Sequence, residues 1–396
     1  MHIGLIVLGS IFILLGAFHT NLWFDEAYSV GLANQGFREI WQITGTDVHP
    51  PLYYFMLRAL MMFSGGSILA LRLFSAVPLM AVAILGYTHI RKDFGEKTGI
   101  LFSFLVLFLP SMATYAGEIR MYSWAMLFVT LTAIYAMRIK EKSSLKNWLI
   151  FSIFSIASAY THYYGLMVIG IINVLLFIDI LKNKKDTLKQ FLLFGFMQFF
   201  LYLPWLLYFV SQLREVSEGF WIGVSFPGTL IEVVNSMYIG EFYGRAAEYI
   251  IFGLVIALYI YIASLVKKNK GEEKSRIALQ SLALYAIIIL AAAVISLVMW
   301  TSILYYRYLL VMGGLLILFL AYFMGKEKKT WVTVSICTLI LALSIVSNIQ
   351  GMKRNYSEEN QEQLKYLREN LLKDDIIVFY TRQSAGDIFV GRVFGI

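Results

Sequence analysis

Residues 23–54 read WFDEAYSVGLANQGFREIWQITGTDVHPPLYY, a polar stretch in a chain that is apolar on either side of it. The segment carries Asp25, Glu26, Arg38, Glu39, Asp47 and His49, a Pro50–Pro51 pair and a run of aromatics. It follows directly on a first apolar segment, Ile3–Phe18, of membrane-span character. Ionisable groups are costly near a bilayer and are kept there for function. The stretch therefore reads as an active-site loop at a membrane surface.

Composition sets the class. The chain has 396 residues, 59% apolar and 15% charged, with a mean hydropathy of +0.70. A soluble domain averages roughly 45–50% apolar and about 25% charged, so this is a polytopic membrane protein. The net charge of +8 does not imply nucleic acid, because the basic residues sit in short loops between apolar runs as topology signals. The one cysteine, Cys337, lies in an apolar run, which leaves no intramolecular disulfide and no cysteine-based metal site. Ile3–Phe18 lacks a basic leader and an A-x-A cleavage site, and is expected to be a retained anchor.

A hydrocarbon core of about 30 Å takes roughly 20 apolar residues per helix. Spans are expected near 3–18, 68–90, 99–115, 122–137, 147–160, 163–181, 190–210, 248–266, 277–300, 307–324 and 330–348. The fold class is thus all-α and polytopic, with about eleven transmembrane helices. Leu52–Phe63 is short for a span, and with Arg58 and the Gly65–Gly66 break it reads as a helix along the interface. With the N-terminus inside, loops 91–97, 138–146, 182–189, 267–276 and 326–329 hold 19 of the 33 Lys and Arg residues. The outer segments before the tail hold seven, all arginine. That bias satisfies the positive-inside rule and places 23–54, 115–122, 211–247, 301–306 and the tail outside the cytoplasm.

Two units are expected: a transmembrane module, 1–350, and a short extracytoplasmic tail, 351–396. In the tail, Leu364, Leu367 and Leu371 keep helical spacing behind a Ser357 cap, and IIVFY (376–380) reads as a strand. Forty-six residues seldom fold alone. The tail is either an α/β appendage packed on the outer loops or an incomplete one, and the sequence leaves both open.

Within the organising stretch, His49 precedes Pro50 and is pushed toward extended backbone. Residues two apart in such a segment face the same way, so Asp47 and His49 share a face, with Pro51 near the first turn of the next helix. The plain alternative is a proline-capped interfacial helix whose histidine bonds a neighbour. Asp25 and Glu26 lie about 100° apart if helical, so one reacting atom cannot take both. Either is also readable as an acidic flank of a span.

These residues carry a resemblance. WFDEAYS followed by DVHPPLYY resembles the first outer loop of GT-C glycosyltransferases, in the group of protein O-mannosyltransferases and lipid A aminoarabinose transferases. The resemblance implies Asp25 as catalytic base with Glu26 beside it, and His49 as a contact to the phosphate of a polyprenyl-phosphate sugar. YYRYLL (305–310) resembles a later element whose arginine faces the lipid phosphate, which points to Arg307. GEIRMYSW (117–124) and YTHYYG (160–165) are similar to recurring elements of bacterial members.

The chemistry fits. A sugar on a lipid phosphate already has a good leaving group, so one base suffices where glycosidases need two carboxylates. As the bond breaks, a phosphodiester of charge about −1 approaches −2, and fixed cations stabilise that change. The expected reaction is inverting sugar transfer to a hydroxyl of a protein, lipid or cell-wall glycan acceptor at the outer face. Further residues expected to line the site are Asp47, Tyr53, Glu118, Arg120, Tyr122, His162, Tyr163 and Tyr306. Glu118 and Arg120 read equally well as an isolated ion pair, and His162 as a satisfied interfacial histidine. The Phe199–Tyr202 and Tyr238–Tyr243 clusters read as interfacial belts. No metal-ligand spacing occurs, and no cofactor or metal is expected. The alternatives are a lipid-linked glycan polymerase or ligase, and a glycolipid transporter or flippase. The sequence shows no internal repeat of the transporter kind.

Overall fold

A computed structural model describes residues 1–19, 21–218, 228–238, 240 and 244–355, with three two-residue stretches at 369–370, 378–379 and 389–390. In chain order the helices are α1 (His2–Leu14), α2 (Phe24–Ala33), α3 (Phe37–Gly45), α4 (Leu52–Ser64), α5 (Ile68–Leu85), α6 (Arg91–Phe94), α7 (Glu96–Phe108), α8 (Pro110–Ala116) and α9 (Tyr122–Glu141). There follow α10 (Leu145–Ala159), α11 (Tyr163–Asn183), α12 (Leu188–Glu218), α13 (Gly228–Asn235), α14 (Arg245–Asn269), α15 (Glu273–Met299), α16 (Gly313–Gly325) and α17 (Thr330–Asn355).

Local chemistry sets the boundaries. The Ser67 and Ser144 hydroxyls cap α5 and α10 by accepting the Ala70 and Asn147 amides, using up orphan donors of the first turn. Helix α4 ends where Gly65 turns left-handed at φ 62°, a conformation glycine adopts without strain. Leu109 precedes Pro110 and is extended, with ψ 133°, so the chain breaks there and α7 and α8 meet at a 57° bend. The residue before proline is barred from the helical region by the ring.

Eight described helical segments are long and apolar enough to cross a membrane, and the bent α7–α8 pair makes a ninth. His2–Ala17 and Leu145–Ala159 are apolar but shorter. These eleven pieces fall where the sequence expects spans, while α4, the expected interfacial helix, is also short. Burial sorts them. The segment Tyr306–Gly325 is 89% buried and forms the centre of the bundle, packed on α7 and α15. An apolar helix covered all round is an interior one. Helix α12 is its opposite, exposing Leu193, Phe196, Phe200 and Leu207 along its length, a face suited to lipid tails. Helices α5 and α7 cross closely: a Cβ at Gly99 would meet the Gly86 carbonyl oxygen at 2.6 Å.

One expectation changes. Tyr238 is buried against Tyr259 rather than placed in an interfacial belt, because α13 folds back onto α14. In the tail, Val378–Phe379 pairs antiparallel with Phe389–Val390. The Ser357 cap and most of the expected tail helix lie outside the described residues.

Candidate active site

Helix α2 carries both acids on its first turn and turns them to opposite sides. Glu26 faces inward at 1% exposure. It takes Arg72 of α5 in a fork, Oε1–Nη1 at 2.5 Å and Oε2–Nη2 at 3.0 Å, and Oε1 also accepts the Ile119 amide at 3.0 Å. Arg72 spends its remaining donors on the carbonyls of His19, Asn21 and Gly117. Three separate backbone segments are thereby tied to one buried ion pair.

Asp25 faces the other way and stays about one-fifth exposed. Its Oδ2 lies 3.1 Å from Nη2 of Arg307. The Arg307 guanidinium is sandwiched between the rings of Trp23 and Tyr305, at 4.9 and 4.8 Å from their centroids. A flat delocalised cation can stack its plane on both rings, which a lysine ammonium has no plane to do. Tyr122, Tyr308 and His162 form an aromatic floor beneath, with ring centroids 5.2 to 6.4 Å apart. The base and the cation implied by the two distant motifs thus meet directly.

The third expected group, His49, does not join that pair. Its Nδ1 lies 3.1 Å from Asp47 Oδ2, and its Nε2 lies 3.2 Å from Nη2 of Arg120. The shared face expected from the extended backbone is present. Since a guanidinium only donates, the contacts suit an imidazole that accepts through Nε2 and donates Nδ1–H to Asp47. Tyr28 donates to the same Asp47 oxygen at 2.8 Å. Burial penalises the Asp47 carboxylate, but the facing His49 and these hydrogen bonds prevail and hold its pKa down to about 2.

Arg120 reaches His49, the Ser29 hydroxyl at 3.2 Å and the Asp25 carbonyl at 3.3 Å. The Glu118–Arg120 ion pair that the sequence allowed does not form, because the guanidinium turns across to α2. Tyr122 and Tyr306 sit with the aromatic floor, Tyr306 receiving a hydrogen bond from Tyr115 at 3.2 Å. His162 is the satisfied histidine: its Nδ1 caps α11 by accepting the Tyr164 amide at 3.1 Å. Burial drives its pKa well down, consistent with that acceptor role. Tyr53 bonds Ser75 at 3.0 Å behind α4. Tyr163 points away, toward Gln212 and Trp205.

Sequence reading missed Arg72, Trp23, Tyr28 and Ser29 as site-building residues. Trp23 and Tyr28 stand in the quoted stretch, and Arg72 is an arginine within an apolar run, which was a usable signal. A cavity of about 280 Å³ lies behind Trp23 and Glu26, lined also by His19, Asn21, Arg72 and Glu118. Among the described residues no three His, Cys, Asp or Glu side chains converge.

The fold has solved counterparts. ArnT from Cupriavidus metallidurans in its apo state aligns with a TM-score of 0.52 at 11% identity, over 86% of this chain and 62% of that one. The Archaeoglobus fulgidus oligosaccharyltransferase, in complex with Zn and sulfate, gives 0.51 at 13% identity over 99% and 59%. The chain thus spans about three-fifths of the length of these structures. No curated protein sequence matches it. The likeness to these two structures is one of fold. Residues 48–208 match the family described as dolichyl-phosphate-mannose-protein mannosyltransferase.

Proposed function

We propose that the protein transfers a sugar from a polyprenyl-phosphate donor to a hydroxyl acceptor, with inversion, at the extracytoplasmic face of the membrane. The observation that carries this reading is the Asp25–Arg307 pair, a carboxylate and a stacked guanidinium 3.1 Å apart at the end of the central helix. Asp25 takes the proton of the acceptor hydroxyl as its oxygen attacks the anomeric carbon. The bond from that carbon to the phosphate oxygen breaks, and polyprenyl phosphate leaves with the electron pair. Arg307 stabilises the charge that collects on the phosphate, an interaction stronger in the transition state than before it.

Without donor, Arg307 occupies the Asp25 oxygen that would receive the proton. A donor phosphate that draws Arg307 toward itself frees the base only when there is something to attack. The acceptor class, whether protein, lipid or wall glycan, follows from cell chemistry rather than from this site. The membrane module is 1–350, with eleven spans, the N-terminus in the cytoplasm and the 351–396 tail outside. The Lys-rich loops at the end of the bundle opposite Asp25 support that orientation.

Comparative mass spectrometry of envelope glycans with and without the gene tests the function, and loss of one sugar substituent is expected. Unchanged glycans, with no donor-dependent transfer by purified protein, would remove the reading.

A further inference from the structure

Arg120 is 4% exposed, and among the described residues it has no carboxylate within 4.0 Å. The other two buried arginines of this region each have one: Glu26 for Arg72 and Asp25 for Arg307. Its three contacts are a carbonyl, a hydroxyl and an imidazole nitrogen, none of which neutralises a charge. Three of its five N–H groups are committed; the Nε–H is buried with no acceptor among the described residues. A charge taken out of water without a counterion costs several kcal/mol, and a buried donor without an acceptor adds to that.

The neighbours repeat the pattern. The Tyr54 and Tyr122 hydroxyls and the Arg307 Nε–H are also buried and, among the described residues, without partners. Tyr54, Tyr122 and Tyr308 all lie within electrostatic range of Arg120 and Asp25. One region thus gathers surplus hydrogen-bond donors around a guanidinium in direct contact with no carboxylate, Asp25 being held by Arg307 and Asp47 by His49 and Tyr28. A bound anion with several acceptor oxygens supplies what all of them lack.

We propose that Arg120 is a second catalytic cation, binding the donor phosphate opposite Arg307, and that His49 is its positioning residue rather than a phosphate ligand. This rests on the proposed sugar transfer. His49 cannot accept from Arg120 through Nε2 and offer the same nitrogen to phosphate. Its place between Asp47 and Arg120 instead fixes the guanidinium, and Tyr28 fixes Asp47 in turn. The charges also match the reaction. Before transfer, Arg120 and Arg307 face Asp25 and a phosphodiester monoanion. Afterwards Asp25 holds the acceptor's proton, and the same two cations face a monoester approaching −2.

The test uses the full chain in detergent, with undecaprenyl phosphate and undecaprenol as probes. Wild type is expected to bind the phosphate and to bind the alcohol far less. Arg120→Gln should lose about 10- to 100-fold in affinity for the phosphate, the range of one charge-assisted contact. Its unliganded melting temperature should hold or rise, since a buried uncompensated charge has gone. Arg120→Lys, which keeps charge but not the fork, should fall between the two in affinity. His49→Ala should weaken phosphate binding in wild type and add nothing in the Arg120→Gln background. Wild-type affinity in Arg120→Gln, or a lowered melting temperature with affinity intact, overturns the assignment of Arg120. Additive losses in the double variant overturn the positioning role of His49. A wild-type protein indifferent to the phosphate would sink the transferase reading itself.

Discussion

Asp25 and Arg307 occupy each other in this structure, so substitutions at the two should separate binding from turnover. Asp25→Asn keeps the shape but cannot take a proton, and should lower turnover by about 10²- to 10⁴-fold, the contribution of a positioned base, with donor binding kept. Steady-state transfer by purified protein measures it, and normal turnover would remove Asp25 as base. Arg307→Lys should insert and express well yet lose activity, because an ammonium neither stacks between Trp23 and Tyr305 nor offers two parallel donors. A fall mainly in kcat marks a contact that strengthens as charge develops, and a rise mainly in KM marks one that only holds donor. His162 gives a contrasting case. Its role is to accept the Tyr164 amide, so His162→Asn, which keeps an acceptor, should leave the melting temperature nearly unchanged. His162→Ala should cost about 1 kcal/mol, the usual penalty of a lost cap. Asp47, held down to about 2, stays ionised across the working pH range. It contributes stability present above the ordinary aspartate pKa of about 4 and lost only as pH falls through about 2. An activity profile between pH 5 and 8 should therefore show no limb that Asp47→Asn removes. The residues legible in the sequence were those whose meaning is local. DE, VHPP and YYRYLL could be read because each packs its chemistry into a few positions. Glu26–Arg72 and His49–Arg120 could not, since their partners stand 46 and 71 residues apart.

Helix α2 is short and one-sided, and what holds it is the Glu26–Arg72 pair. Through it His19, Asn21, the α2 N-terminus, α5 and the 117–119 turn become one unit. Removing one partner of a buried ion pair typically costs about 3–5 kcal/mol, so Glu26→Gln and Arg72→Leu should each lower the melting temperature sharply. Replacing both partners of such a pair with apolar residues is often neutral. Here it should not be, because the carbonyls of His19, Asn21 and Gly117 and the Ile119 amide all lose their partners together. The double variant Glu26→Leu/Arg72→Leu is expected to stay destabilised and inactive. Recovery of stability in that variant would show an isolated pair rather than a junction. The same element explains why two adjacent acids read as equals in sequence: only the side of α2 each faces distinguishes them. The start of α4 is tied to this end of the bundle in another way, since the Leu52 amide donates to the Tyr160 carbonyl at 3.0 Å. The Pro50–Pro51 elbow thereby sets where Asp47 and His49 stand relative to α10 and α11.

At the scale of the molecule, span number and orientation rest on charge as much as on length. Eight helical segments qualify by length and one more as a bent pair; the short pieces His2–Ala17 and Leu145–Ala159 must also cross for the Lys-rich loops to share one side. If Leu145–Ala159 lay along the interface, every later loop would change sides. Loop 267–276, with five Lys and Arg residues, would then face outward, against the bias that orients membrane proteins. The active-site geometry argues the same way. Asp25, His49, Arg120, His162 and Arg307 come from five separate segments and meet at one end of the bundle, which requires the intervening spans to return to that end. Single cysteines placed in 138–146 and 267–276, in a Cys337→Ser background, should resist a membrane-impermeant maleimide in intact cells. Cysteines at the exposed positions 213–215 should react. Labelling of the 267–276 cysteine in intact cells would mean that the 145–159 segment does not cross, and would put the Arg307 end of the central helix on the wrong side for an extracytoplasmic donor.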